Sequence, residues 1–152
     1  MVSERISAPP AGPYVQAALF CEYVIREVDN TVSLVRVVDR ITHTESGPNT
    51  PEDLPSFTYR LKAVLMIKGG GARGRSNLVV RMEQPSGLMT DLATATLQFT
   101  GAPSSGVTSV LDMTISFEQE GLHWFDVEVD GLLLSRMPLE IHYRRITTGP
   151  SQ

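Results

Sequence analysis

At 152 residues, 41% apolar and 20% charged, the chain has the size of one domain and enough apolar surface for a core without disulfide or metal staples. This composition excludes charge-driven disorder, and a net charge of −4, with 13 basic residues among 17 acidic ones, argues against a nucleic-acid partner. The single cysteine, Cys21, excludes an intrachain disulfide and a thiolate zinc site.

Residues 1–13 and 148–152 are expected to be disordered tails around one domain over 14–147. The polar, proline-rich start lacks the apolar core of a signal peptide, and no apolar run reaches the length of a membrane span. A cytoplasmic location without membrane contact is therefore expected. The first element is ambiguous. Ala17, Phe20, Cys21, Val24, Ile25 and Val28 fit one helical face, whereas Val15, Ala17, Leu19, Cys21, Tyr23 and Ile25 fit one strand face. The short Asp29-Asn30 turn into a β-branched segment favours a strand, with a helical turn allowed near Glu22–Arg26.

The next segment, Val32–Ile41, is apolar on both faces, with Val35, Val37 and Ile41 on one and Val32, Leu34 and Val38 on the other. Such a strand is either covered on both sides or meets another chain, and Leu34, Arg36, Val38 and Arg40 are its candidate interface residues. An irregular stretch follows from Thr44 to Ser56, where Thr50-Pro51 could cap a single helical turn. Alternation then predicts strands at Phe57–Ile67, Asn77–Glu83, Thr94–Phe99, Thr108–Glu118, Leu122–Val129 and Leu133–Tyr143, about eight in all. The shared core is expected to hold Leu61, Leu65, Leu97, Phe99, Leu111, Met113, Ile115, Phe125, Val127, Leu139 and Ile141. These features predict an all-β, single-domain antiparallel sandwich.

Gly69-Gly70-Gly71-Ala72-Arg73-Gly74 satisfies the dinucleotide fingerprint in letter, but a strand follows where a helix must receive the phosphates. It reads as a hairpin tip, from which Arg73 and Arg75 could contact an anion or an acidic partner. His43, His123 and His142 lack metal-ligand spacing. His123 shares the phase of Phe125 and Val127 and is expected to be partly buried. Asp126, Glu128 and Asp130 read as the solvated face of a hairpin, and Cys21 as a buried, inert thiol. No catalytic, cofactor or metal residues emerge.

The closing hairpin is constrained by parity. Both of its strands bury odd positions, whereas a plain two-residue Asp130-Gly131 turn pairs odd with even residues. An odd-length connection or a bulge with Gly131 at positive φ is required. One allowed register pairs Phe125 with Met137 and Asp126 with Arg136. The other pairs Val127 with Leu133 and sets Trp124 beside Arg136, in cation–π reach.

Two stretches carry a resemblance. Ala18–Val24 with Val32–Ile41, ending in Asp39-Arg40-Ile41, resembles the opening of a widespread family of small bacterial proteins of unknown function. Gly121–Gly131 with Met137-Pro138-Leu139 resembles the closing hairpin of that family and of many immunoglobulin-like sandwiches. The resemblance implies an immunoglobulin-like fold and a bacterial origin, and no activity. The function expected is a non-catalytic interaction or assembly module, with itself (a homodimer) or another protein as partner. A small-ligand or carbohydrate-binding sandwich is the alternative, favoured if Trp124 and Tyr143 lie exposed side by side.

Overall fold

The computed structural model describes residues 10–147. Most of the expected tails at 1–13 and 148–152 lie outside this range. Nine strands form two sheets: β1 (Tyr14–Arg26), β2 (Val32–Val38), β3 (Arg40–Ser46), β4 (Phe57–Lys68), β5 (Arg73–Glu83), β6 (Met89–Thr100), β7 (Gly106–Phe117), β8 (Gly121–Val129) and β9 (Leu132–Ile146). One sheet has the order β2-β1-β4-β7 and the other β3-β9-β8-β5-β6, and no helix occurs among the described residues. Their inward faces meet in one core that includes every expected residue except Leu111, which packs half-buried at its margin. Phe20 of one sheet stands edge-on to Phe125 of the other, with ring centroids 4.8 Å apart, a favourable aromatic arrangement.

Several expectations need correction. Glu22–Arg26 is strand, not a helical turn, and Thr50–Asp53 forms no helix because β3 runs on to Ser46 and an irregular connection follows. The pairing of β3 with β9 is parallel, Arg40 lying opposite Glu140, so the sandwich is not wholly antiparallel. The segment 32–41 is two strands. A bend at Asp39 carries the chain from one sheet to the other, and the Asp39 carbonyl accepts the Glu140 amide at 3.2 Å. In a continuous strand Val38 and Ile41 would face opposite ways. The bend lets both enter the same core from opposite sheets, whereas Val35 and Val37, at the same parity as Ile41, face outward.

The closing hairpin has the plain two-residue turn, with Asp130 at φ 50° and Gly131 at φ 80°, the signs a type I′ turn needs. Val129 therefore pairs with Leu132, and the parity conflict is resolved farther along. The register shifts between Glu128–Leu133 and Val127–Ser135, leaving Leu134 as the bulged residue. Phe125 then opposes Met137 and Asp126 opposes Arg136, the first of the two registers allowed by parity. Leu134, not Leu133, packs against the core, and Leu133 is exposed.

Candidate functional site

The outer faces of the two sheets differ in chemistry. On the five-stranded sheet, Arg81 bridges Asp91 and Glu128, and Arg136 bridges Asp126 and Glu83. The Arg136 guanidinium also lies 5.1 Å from the centroid of Trp124. Asp126 and Glu128 are thus ion-paired, Asp126 buried beneath its arginine, and are not a simple solvated face. Asp130 accepts the Asn77 amide at 2.8 Å, which holds its carboxyl below the usual range. This face is wired for water.

The outer face of the four-stranded sheet carries an apolar patch, with Thr58, Arg60, Thr114 and Ser116 polar beyond it. Register places Val37, Cys21, Lys62 and Asp112 in one row and Leu19, Val64 and Val110 in the next, with Ala17 and Met66 beyond and Val35 and Tyr23 on the other side. Cys21 and Val64 are fully buried yet stand outside the core cluster, so they belong to a second apolar layer. Burial also pushes the Cys21 thiol pKa upward, consistent with an inert thiol. The charges within these rows, Lys62 and Asp112, pair with each other.

Beside this layer the sheet splits. Pairing of β1 with β4 ends at Cys21–Lys62, while β1 continues to pair with β2 as far as Arg26–Val32. Beyond Cys21 the β1–β2 hairpin is therefore a two-stranded arm. Its exposed apolar residues are Tyr23, Ile25, Val28, Val35 and Val37. Asn30 at φ 68° and the Asp29 carboxylate, which accepts the Thr31 hydroxyl at 2.6 Å, close its tip. Glu22 anchors its root by accepting the Tyr59 hydroxyl at 2.9 Å and pairing with Arg36 at 2.7 Å. Burial, then Glu22, raises the Tyr59 pKa. Between arm and sheet lies a cleft of about 410 Å³ bordered by Glu22, Tyr23, Arg60, Lys62, Asp112 and Thr114.

The residues singled out from sequence do not form one surface. Leu34 and Val38 are half-buried on the inward parity, and Val38 packs on the core. Arg36 is exposed at the root of the arm, and Arg40 has crossed to β3, where it pairs with Glu140 at 3.1 Å. The exposed apolar residues of β2 are Val35 and Val37 instead. Arg73 and Arg75 lie on β5 and not on the tip. Trp124 and Tyr143 have opposite parity across the β8–β9 register, so they do not sit side by side. His43 stacks on Phe57 at 4.4 Å, His142 is exposed, and His123 is fully buried. The missed signal is in β1, the partner of β2, and in β4 beyond it. Ala17–Cys21 and Ala63–Ile67 are unbroken apolar runs, and in a sheet such runs give both faces apolar character.

Residues 16–142, from within β1 to within β9, match the model of a family described as a family of unknown function, DUF6941. No curated protein matches this sequence. Among solved structures, the chain is similar to the Pseudomonas fluorescens alkylpurine DNA glycosylase AlkC bound to DNA containing an abasic site analog, at 13% identity and a TM-score of 0.42. That similarity covers 87% of this chain and 31% of the other, so the chain spans about a third of that protein's length.

Proposed function

This chain belongs to DUF6941, a family of unknown function, and from that premise we propose that it is a non-catalytic assembly module that self-associates through the outer face of its four-stranded sheet. The observation that carries this reading is the contrast between the two outer faces, one covered by ion pairs and the other an apolar layer continuous with an apolar arm. At about 4.8 Å between strands and about 3.4 Å per residue, the apolar rows span roughly 400 Å², about half the ~800 Å² per partner of a standard interface, and the exposed apolar arm extends that area. The Lys62–Asp112 pair is internally matched, so two copies can stack over the apolar rows without burying an unmatched ion provided Arg60 stays at the wet rim. The β2 edge is a poorer route. Arg36 at φ 58° interrupts its extended backbone, a device that blunts edge-to-edge pairing.

The strand order supports an immunoglobulin-like reading of the sandwich. Here β4 and β7 share one sheet while β5, β8 and β9 share the other, as the B, E and the C, F, G strands do in that fold. The free Cys21 supports a reducing, cytoplasmic setting.

The test is the solution mass of wild type, Val37→Glu and Tyr23→Glu by sedimentation across a concentration series. Wild type is expected as a dimer, and each glutamate is expected to weaken it at least about tenfold, or ~1.4 kcal/mol, without loss of the folded β spectrum. A wild-type chain that stays monomeric at about 1 mM overturns the reading.

A further inference from the structure

We infer that the cleft between the β1–β2 arm and β4 is a docking slot for an extended polypeptide segment bearing an acidic side chain. The argument starts from the backbone. Phe57–Leu61 pair with β7 on one side, but on the other side β4 has no strand partner before Lys62. Tyr23–Arg26 have the complementary opening: they pair with β2 and face no strand on the β4 side. Both walls of the split therefore carry unpaired strand edge, and such an edge is satisfied by another extended chain added in register. The split is built in, because Glu22 at its root is held by Tyr59 of β4 and by Arg36 of β2.

Side chains set the chemistry of the occupant. Lys62 is engaged by Asp112 and Glu22 by Arg36, whereas Arg60, exposed on the same border, has no ion-pair partner among the described residues. An extended segment laid along β4 would bring alternate side chains onto the outer face, where Arg60 would meet a carboxylate and Tyr23 would cover an apolar neighbour. The inference rests on the open backbone edge and not on self-association; because the dimer would cover the same border, wild type is expected to bind more weakly than Val37→Glu while showing the same shifts, and the latter reads the slot apart from the dimer.

The probe is a synthetic peptide of about nine residues that alternates threonine and valine around one central glutamate. It is titrated into the full-length chain, wild type and Val37→Glu, while backbone amide resonances and hydrogen exchange are followed. Binding is expected to shift and protect amides within Phe57–Leu61 in both proteins. A central lysine is expected to weaken it about three- to fivefold, the scale of one exposed ion pair, and Arg60→Glu to reverse that preference. N-methylation of alternate peptide amides is expected to abolish binding, because it removes the donors a strand must supply. No binding at about 1 mM, binding that survives N-methylation, or shifts confined to residues away from β4 would each overturn the inference.

Discussion

Arg36 occupies left-handed backbone space in the middle of an edge strand, at a cost on the order of 1–3 kcal/mol for a side chain of this kind. What offsets that cost is local: its guanidinium reaches Glu22, which also holds Tyr59. His123 shows a second local compromise. Its Nδ1 donates to the Gly121 carbonyl at 3.1 Å, so the neutral ring, T-shaped against Phe117, leaves Nε2 as a buried acceptor with no partner among the described residues. Burial pushes its pKa below the ordinary histidine value. The folded chain then binds fewer protons at this site than the unfolded chain as pH falls below about 6.5. The associated stability is fully present above that pH, and it declines as pH falls toward the depressed folded-state value. Urea unfolding at pH 7 and at pH 5 is expected to show a larger loss for wild type than for His123→Phe. Equal losses would mean that the ring gains a partner on protonation.

Strand phase depends on bulges, and these mark where sequence reading succeeds or fails. The stretch Phe57–Ile67 was legible because its odd positions are apolar throughout and its register with β7 is continuous. Parity alone narrowed the β8–β9 register to two, of which the structure has the one that pairs Phe125 with Met137, but neither that choice nor the position of the bulge was legible. Leu132, Leu133 and Leu134 are chemically alike, and only the bulge decides which of them turns inward. The exposed apolar residues of β2 are Val35 and Val37 and not the expected Leu34 and Val38, because the bend at Asp39 reverses the phase within Val32–Ile41 and hides which parity faces the core. Deleting Leu134 tests this account. Leu133 already faces outward and Ser135 inward, so the deletion leaves a regular ladder with every later residue in phase. The expected outcome is a folded protein that keeps the Phe125–Met137 proximity in its NMR spectrum and loses about 1–2 kcal/mol of packing. Deleting Glu140 instead inverts the faces beyond it and is expected to prevent folding.

At the scale of the whole molecule, two apolar layers share one sheet and should respond differently to truncation. Ile115 is buried in the core, and Ile115→Ala is expected to cost about 2–5 kcal/mol in chemical denaturation. Val37 is 61% exposed on the outer layer, and Val37→Ala is expected to cost the monomer under ~0.5 kcal/mol. The parallel pairing of β3 with β9 bears on how the molecule comes into being. Arg40 and Glu140 meet across a sequence separation of 100 residues, and β3 has no other partner in its sheet. On a ribosome adding roughly 5–20 residues per second, β3 emerges about 5–20 seconds before the strand that will hold it. During that interval Ile41 has no neighbour on β9, and the second sheet remains open at β8. The nascent chain therefore carries its longest-range strand pairing as an unfilled vacancy until β9 leaves the tunnel, and that is when a chaperone would have most to shield.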